Sequence, residues 1–308
     1  MSTGGMAAEA LPARTSTAVD QVVRDRTKSR LTAVAVTIFL GLYALFTVIP
    51  FLVMFLSSFK DVKDAFTLPE YGDWGGMLSL FQFEPTLVHY RSLFGSGGGF
   101  ASYLRNSVIA AGGSAVVSVV LGSTAAYALS RGRFRGKSDL YFWIISTRMA
   151  PVVAVTVPLY AIFKTAGLLN TLPGLILAYT TFNLPFAIWI LKGFFDGIPY
   201  EIEEAYMVDG YSRWRAFASI IPLVAPGLAA VVILCVLLAW NDFLFAAIMG
   251  GEAAKTLPVA TASLRSSTGI QWGQIMAAGV VTATPMLLLG VIIRKYLVQG
   301  LTMGAVKN

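Results

Sequence analysis

Six long apolar segments restrict the fold of this sequence more than any other feature. Stretches of about 20 apolar residues are long enough to cross a lipid bilayer as helices. The segments span residues 31–56, 107–129, 140–163, 175–191, 223–249 and 275–293. Hydrophobic residues make up 56% of the chain, whereas soluble domains contain roughly 45–50%. The sequence therefore predicts an all-α integral membrane protein with six transmembrane helices.

The N-terminal segment, residues 1–29, is polar and has no sustained apolar period. This composition predicts a largely disordered tail. A cleaved signal peptide is the alternative interpretation, but the apolar run that begins at Leu31 is longer than the 7–15 residues of a signal-peptide core. We therefore expect the first apolar segment to be retained as a helix.

The connection between the first two apolar segments, residues 57–105, is long and rich in aromatic residues and glycine. We expect short interfacial helices in it and no separate domain. Its His89 is the one histidine of the chain, and a lone histidine in a loop is expected to be solvated.

The net charge of +7 comes from Lys and Arg residues that lie in the connections beside apolar segments. This distribution indicates membrane orientation and argues against nucleic acid as a partner. The connections on the side of the N-terminus hold about twice as many Lys and Arg residues as those on the opposite side, which predicts that both termini are cytoplasmic. The chain is thus expected to be a multi-pass protein of a cell membrane.

The stretch "GRFRGKSD" at residues 132–139 resembles a nucleotide-binding loop in its Gly-Lys-Ser end. The required spacing places four residues between the two glycines, with a strand before the loop; here only three separate Gly132 from Gly136, and an apolar helix precedes them. We therefore interpret it as a basic cytoplasmic loop that sets topology and contacts anionic lipid.

No pattern of catalytic or metal-binding residues is visible in the sequence. The single cysteine, Cys235, lies inside an apolar segment, so there is no Cys/His metal spacing. There is no nucleophile–base pair, no pair of intramembrane carboxylates and no HExxH motif, which argues against an intramembrane enzyme. We expect a non-catalytic chain that binds no metal and no cofactor.

The acidic stretch "EIEEAYMVDG", residues 201–210, stands out in so apolar a chain. Pro199 precedes it, and acidic residues in a first helical turn are favourable at the positive end of a helix. Gly210 is expected to end this helix. A second short helix is predicted from Ser212 to Pro222. Amphipathic periodicity alone leaves open whether this cytoplasmic elbow binds a partner or is a plain connection.

This stretch resembles the EAA loop of ABC-importer permeases, whose pattern is E-A-A-x-x-x-G followed by I-x-L-P. Glu204 and Ala205 match its start, Tyr206 replaces the second alanine, Asp209 occupies the last unspecified position, and Gly210 matches its end. The following Ile-Ile-Pro, residues 220–222, comes one residue short of the usual spacing. The resemblance implies that residues 193–222 form a cytoplasmic coupling loop that docks into a separate ATPase through Glu204, Ala205, Asp209 and Gly210.

Four further stretches resemble the MalG-like carbohydrate branch of this family and extend the likeness over residues 31–308. They are "YLRNSVIAA" (103–111), "GLLNTLPGLIL" (167–177), "WNDFLFA" (240–246) and "GLTMGAVKN" (300–308). A fifth, "STRMAPVVAVTVPLYAIF" (146–163), resembles polyol-transporting members. The resemblance implies uptake of a sugar or polyol, with another small solute as the alternative.

The family likeness also implies an assembly and a domain plan. Residues 30–299 would form a permease domain of the type I importer fold, and residues 300–308 a cytoplasmic tail that contacts the ATPase through Gly304, Ala305 and Lys307. The partners would be a second homologous permease, two ATPase subunits that bind ATP and Mg²⁺, and an extracytoplasmic solute-binding protein. A single-chain secondary transporter is the rival class, but such proteins usually show internal repeats.

Four residues inside the predicted helices are candidates for the solute path: Arg148, Trp240, Asn241 and Asp242. Ionisable and amide groups at membrane depth are costly and are expected to face a bundle interior or a water-filled path. Amide, carboxylate and aromatic groups suit a neutral hydroxylated solute. The other interpretation is structural, namely an ion pair between Arg148 and Asp242 that joins two helices. The sequence leaves both open.

Overall fold

The computed structural model describes residues 14–61, 83–95, 99–266 and 269–305, which are almost entirely helical. The helices are α1 (Arg14–Ser57), α2 (Val88–Phe94), α3 (Phe100–Arg131), α4 (Lys137–Ser146), α5 (Val152–Thr165), α6 (Leu172–Asp196), α7 (Tyr200–Val208), α8 (Arg213–Trp240), α9 (Leu244–Met249), α10 (Leu257–Ala262) and α11 (Trp272–Ala305). Two short antiparallel strands, β1 (Arg265–Ser266) and β2 (Gly269–Ile270), precede α11. The chain divides into two compact units, residues 1–54 and 55–308.

Helix α1 makes up the described part of the first unit, and its stretch Thr32–Ser57 is apolar and long enough to cross a membrane. The helix already begins at Arg14, inside the segment that the sequence predicted to be largely disordered. The backbone of residues 14–29 continues the helix of the apolar stretch toward the N-terminus. Its Ala, Gln, Arg and Lys residues are favourable in a helix, and extending an existing helix avoids the cost of starting a new one. Residues 1–13 lie outside the described residues.

The second unit is built around α3, α6 and α8, which pack against one another. Small residues allow the close approach, as membrane helices often require. A Cβ at Gly122 would lie 3.0 Å from the Cβ of Ala187, and one at Gly227 would lie 2.6 Å from the ring of Phe194. Two groups of buried apolar residues result, one near the start of α3 and one near its end.

Helices α3 and α6 run parallel. Gly113, about midway along α3, contacts Ile176 near the start of α6. At their ends, the hydroxyl of Ser130 donates a hydrogen bond to Asp196, 2.6 Å away. The chain between them, α4 and α5, must therefore return across the full length of the unit.

The third predicted segment, residues 140–163, is not one straight helix. Helices α4 and α5 meet at an angle of 96° after a single 3₁₀ turn, Thr147–Met149. Ala150 is extended and Pro151 starts α5, because the residue before a proline disfavours helical backbone. The described residues thus contain five helices that could span a membrane, or six if the bent pair counts as one crossing.

The fifth predicted segment has other boundaries than expected. The separate short helix predicted from Ser212 to Pro222 is wrong, because α8 runs without interruption from Arg213 through Pro222 and Pro226 to Trp240. Within a membrane helix such prolines are tolerated. The predicted continuation to Met249 is also wrong: the chain breaks at residues 241–243, and α9 follows as a separate short helix.

His89 is buried on α2, contrary to the expectation of a solvated loop histidine. Its Nε2 lies 2.8 Å from the carbonyl oxygen of Lys60, and its ring packs onto Gly273 at the start of α11. Helix α2 is a short helix within this connection, as expected, while its place at a membrane interface stays a prediction. Residues 62–82 and 96–98 of the connection lie outside the described residues.

Candidate functional site

The acidic stretch forms helix α7, with a defined start and end. Pro199 precedes its first residue, and Glu201 and Glu203 lie in its first turn. At its end, Tyr211 N–H donates to the carbonyl of Tyr206 and Gly210 N–H to that of Met207. This pair of hydrogen bonds is a Schellman motif, which requires a left-handed residue, and the φ of Gly210 is +83°.

The four residues that the family resemblance singled out, Glu204, Ala205, Asp209 and Gly210, are all exposed at this helix. Apolar side chains of the same stretch are exposed beside them: Ile202, Tyr206, Val208, Tyr211 and Trp214. Val208 is 86% exposed and Trp214 71% exposed. Exposed apolar groups together with acidic ones are typical of a surface that binds another protein.

Glu203 differs from its acidic neighbours, because it is only 1% exposed. Its Oε1 accepts a hydrogen bond from Arg131 Nε, 2.5 Å away. Its Oε2 accepts one from the hydroxyl of Tyr127 at 2.7 Å. Both partners belong to the last turns of α3, so we call Tyr127, Arg131 and Glu203 the Glu203 cluster. It joins α7 to the end of α3.

Arg131 also binds the connection that leads into α7. Its Nη2 donates to the carbonyl of Ile198 at 2.9 Å, and its guanidinium lies 5.6 Å from the ring centre of Tyr200. A cavity of about 380 Å³ lies beside the cluster. Its lining includes Phe134, Glu203, Arg213, Trp214 and Phe217.

The basic loop 132–139 is ordered by the chain itself. Lys137 Nζ donates to the carbonyls of Ser130 and Gly132, at 3.0 and 3.1 Å. The lysine that resembled part of a nucleotide-binding loop thus binds the end of the preceding helix.

A second cavity, of about 220 Å³, lies at the bend between α4 and α5, where α6 and α8 face it. Polar side chains and aromatic rings share its wall. They are Arg148, Val152, Tyr179, Phe182, Asn183, Leu238, Ala239, Asp242 and Phe245. Binding pockets for small molecules commonly combine apolar walls with a few polar groups.

Arg148 and Asp242 line this cavity but bind different partners. Arg148 Nη1 donates to the carbonyl of Phe182 at 2.5 Å, and its guanidinium lies 5.0 Å from the ring centre of Phe186. Asp242 Oδ1 accepts from the N–H groups of Phe245 and Ala246, at 3.0 and 3.4 Å. Among the described residues the three salt bridges lie elsewhere, so the ion pair considered in the sequence analysis is not formed in this structure.

Asp242 thereby supplies the reason for the break in the fifth segment. A side-chain oxygen that accepts from the first N–H groups of a helix stabilises its N-terminus. The carboxylate starts α9 and remains half-buried at the cavity.

Trp240 and Asn241 do not line the cavity. Trp240 is buried, and its Nε1–H donates to the carbonyl of Thr282 at 3.1 Å, which joins α8 to α11. Asn241 is exposed, and its amide donates back to the carbonyl of Leu237 at 2.8 Å. Of the four candidates for the solute path, the structure brings two together, Arg148 and Asp242.

The predicted C-terminal tail begins within α11, whose backbone is helical to Ala305. Gly304 and Ala305 thus lie on the last turn of a helix, whereas the sequence predicted a separate tail from residue 300. Lys307 lies outside the described residues.

Sequence reasoning missed several residues of these sites, among them Glu203 and Asn183. Tyr200 and Met207 lie at i,i+3 and i,i+4 spacing from Glu203, but the same spacing fits Glu204, so the sequence could not distinguish the buried glutamate from the exposed one. Asn183 donates to Ser114 Oγ and to the carbonyl of Cys235, at 3.3 and 3.1 Å. An amide within an apolar segment was the available signal.

The chain is similar in sequence to known transport permeases along nearly its whole length. The chain is 38% identical over 272 residues to the inner membrane ABC transporter permease protein YcjP of Escherichia coli K12, covering 87% of this chain and 94% of that protein. It is also 38% identical over 280 residues to the trehalose transport system permease protein SugB of Mycobacterium tuberculosis, covering 90% and 97%.

The fold is that of a chain in the crystal structure of a bacterial ABC transporter involved in the import of the acidic polysaccharide alginate. The TM-score is 0.70 at 22% identity, over 87% of this chain and 97% of that one. Residues 118–303 match the family described as binding-protein-dependent transport system inner membrane component. This match includes α7 and the cavity at the α4–α5 bend, and the chain therefore belongs to the family of inner membrane components of binding-protein-dependent transport systems.

Proposed function

We propose that this chain is one of two permease subunits of an ATP-binding-cassette importer for a neutral sugar or polyol. The observation that supports this most directly is the similarity to a trehalose transport permease over 90% of the chain. The cavity at the α4–α5 bend agrees with such a solute. It offers a guanidinium, an amide and a carboxylate to hydroxyl groups, beside the paired rings of Phe182 and Phe245.

The bent pair α4–α5 counts as one crossing in this proposal, which gives six crossings in all. The support is the parallel arrangement of α3 and α6, since two parallel helices in succession require the chain between them to cross back. The connections richer in Lys and Arg then lie on the side of α7, and the positive-inside rule places that side and both termini in the cytoplasm.

Helix α7 is the proposed docking element for an ATPase subunit. Glu204, Ala205, Asp209 and Gly210 would contact the ATPase together with the exposed apolar side chains of the same stretch. ATP and Mg²⁺ would bind to the ATPase subunits and not to this chain, and no reaction would be catalysed on the solute here. A second homologous permease would complete the solute path, and an extracytoplasmic solute-binding protein would deliver the solute.

The proposal is tested by reconstituting this chain with a second permease, the ATPase subunits and the loaded binding protein in lipid vesicles. We expect ATP-dependent uptake of a sugar such as trehalose or of a polyol such as sorbitol, and no uptake when the ATPase subunits are omitted. Transport of amino acids but not of sugars or polyols would contradict the proposed solute class. Solute uptake without ATPase subunits would contradict the mechanism.

The same vesicles test the C-terminal residues. Deleting Gly304 to Asn308 is expected to weaken the stimulation of ATP hydrolysis by loaded binding protein, because this end would reach the ATPase. Unchanged stimulation would exclude that contact.

A further inference from the structure

The Glu203 cluster attaches α7 to α3 through a buried ion pair and a buried hydrogen bond. A buried ion pair often stabilises a protein no better than apolar side chains of similar volume, because both charges lose their hydration. What it does provide is defined geometry, since charge-assisted hydrogen bonds are short and directional. Glu203 uses both carboxylate oxygens in this way, toward Arg131 and Tyr127. The cluster therefore fixes one position of α7 relative to the end of α3.

The end of α3 is attached to more than α7. Arg131 binds the carbonyl of Ile198 with the same guanidinium that binds Glu203. The preceding Ser130 donates to Asp196, the last residue of α6. The last turn of α3 therefore holds the end of α6, the connection that follows it and α7. A displacement of α7 acts on α3 through these bonds.

Helix α3 leads from this attachment to the opposite end of the unit. Its 32 residues correspond to about 48 Å at a rise of 1.5 Å per residue. Near its start, the amide of Asn106 donates to the carbonyls of Ala253 and Lys255, both at 3.0 Å. Ser107 accepts from the N–H of Leu257 at 2.8 Å.

Midway along α3, Ser114 accepts the hydrogen bond from Asn183, which lines the cavity at the α4–α5 bend. One helix thus has polar contacts to α7, to a residue at the cavity and to residues 253–257. A rigid element with such contacts at both ends can couple two distant sites.

We propose that Glu203, held by Arg131 and Tyr127, is a positioning residue that transmits the displacement of α7 to α3 and so to the solute cavity. This rests on the proposed function, in which an ATPase moves α7. Glu203 itself would not contact the ATPase, because it is buried against α3. It would differ in this from Glu204, which is exposed and belongs to the proposed docking surface.

The test uses the complete transporter in lipid vesicles, with Glu203→Gln and Tyr127→Phe. The first removes the negative charge, and the second removes only a hydroxyl while its ring contacts with Phe195 and Phe217 remain. The measurements are the ATPase subunits retained on the purified complex and the solute transported per ATP hydrolysed. We expect normal retention in both variants. Loss of a charge-assisted hydrogen bond corresponds to roughly a tenfold change in an equilibrium, so we expect transport per ATP to fall about tenfold in Glu203→Gln and less in Tyr127→Phe.

The control is Glu252→Gln, which removes a carboxylate that is 81% exposed and lies far from the Glu203 cluster, and which should leave transport per ATP unchanged. If Glu203→Gln leaves Arg131 without its partner and does not assemble, Tyr127→Phe decides. Unchanged transport per ATP in Tyr127→Phe would overturn the proposal. So would loss of ATPase retention in that variant, since Glu203 would then act in docking.

Failure of the proposed function would look different. In that case the wild-type complex would retain no ATPase subunits, and Glu204→Lys would change nothing. Normal ATPase retention by wild type, its loss in Glu204→Lys and its preservation in Tyr127→Phe together separate docking from transmission.

Discussion

Arg148 and Asp242 lie at one cavity, yet each is bound to backbone groups of a different helix. The guanidinium of Arg148 binds the Phe182 carbonyl, and the carboxylate of Asp242 binds the N–H groups at the start of α9. Neither depends on the other for its hydrogen bonds in this arrangement. Replacing one of them therefore removes no hydrogen bond of the other, although a solute bound in the shared cavity would couple their effects on transport.

We therefore expect Arg148→Met and Asp242→Asn each to reduce uptake and to change the preference among sugars, with normal amounts of protein in the membrane. The asparagine oxygen can still accept from the N–H of Phe245, so α9 keeps its N-terminal hydrogen bond. In the double variant uptake should be no higher than in the weaker of the two single variants, because the two side chains share the cavity but no hydrogen bond. Uptake kinetics with a panel of sugars measure this.

Thr147→Val is the matched control, because Thr147 is exposed beside Arg148 and its hydroxyl binds only the carbonyl of Ile144. If the double variant transported better than either single variant, Arg148 and Asp242 would instead act as an ion pair in another state of the transporter.

Helix α7 is an element whose two ends could be predicted from sequence and whose contacts could not. Pro199 and Gly210 determine its start and end through local backbone geometry, which a single residue type can indicate. The burial of Glu203 depends on Tyr127 and Arg131, which are far away in sequence. The length of α8 was missed because Pro222 and Pro226 would interrupt a helix in water. In a membrane, packing against neighbouring helices permits prolines within a helix.

Replacing Gly210 by alanine should weaken the end of α7. No atom lies within 4 Å of a Cβ built at this position, so the penalty comes from the φ of +83° alone. A left-handed conformation costs an L-residue about 1–2 kcal/mol. We expect Gly210→Ala to lower stimulated ATP hydrolysis and uptake while membrane levels stay normal. Gly210→Asn should be milder, because asparagine adopts this conformation more readily.

Gly193→Ala provides the comparison, since its Cβ would also meet no atom within 4 Å but the residue lies within α6 without a positive φ. Alanine is favourable in a helix, so this variant should transport normally. Equal losses in Gly193→Ala and Gly210→Ala would show that the backbone conformation at the end of α7 is not the cause.

The sequence predicted the number of apolar segments but not how the third one folds. Residues 140–163 are apolar throughout, and hydropathy alone does not distinguish a straight helix from two helices at 96°. The cavity exists because of this bend, so its lining could not be assembled from sequence. Arg148 and Asp242 were recognisable as polar groups in apolar segments, while Asn183 is placed there by the packing of α6 against α3 and α8.

The bend also decides how many times the chain crosses the membrane, and this can be measured by cysteine labelling. Arg135, Glu201 and Glu252 are exposed, whereas the native Cys235 is buried and should not react. We expect a membrane-impermeant maleimide to label Glu252→Cys on intact spheroplasts. It should label Arg135→Cys and Glu201→Cys only after permeabilisation, because both connections would be cytoplasmic.

A re-entrant α4–α5 pair gives a different pattern. The chain would then stay on the inner side between α3 and α6, so α6 would lead outward, and Glu201→Cys would react on intact cells while Glu252→Cys would not. Arg135→Cys would remain protected in both arrangements and serves as the internal control. However, a re-entrant pair would place the ends of α3 and α6 on opposite faces, which is incompatible with the Ser130–Asp196 hydrogen bond and the Arg131–Glu203 ion pair. We therefore expect the pattern of six crossings, and labelling of Glu201→Cys on intact cells would contradict both the topology and the Glu203 cluster.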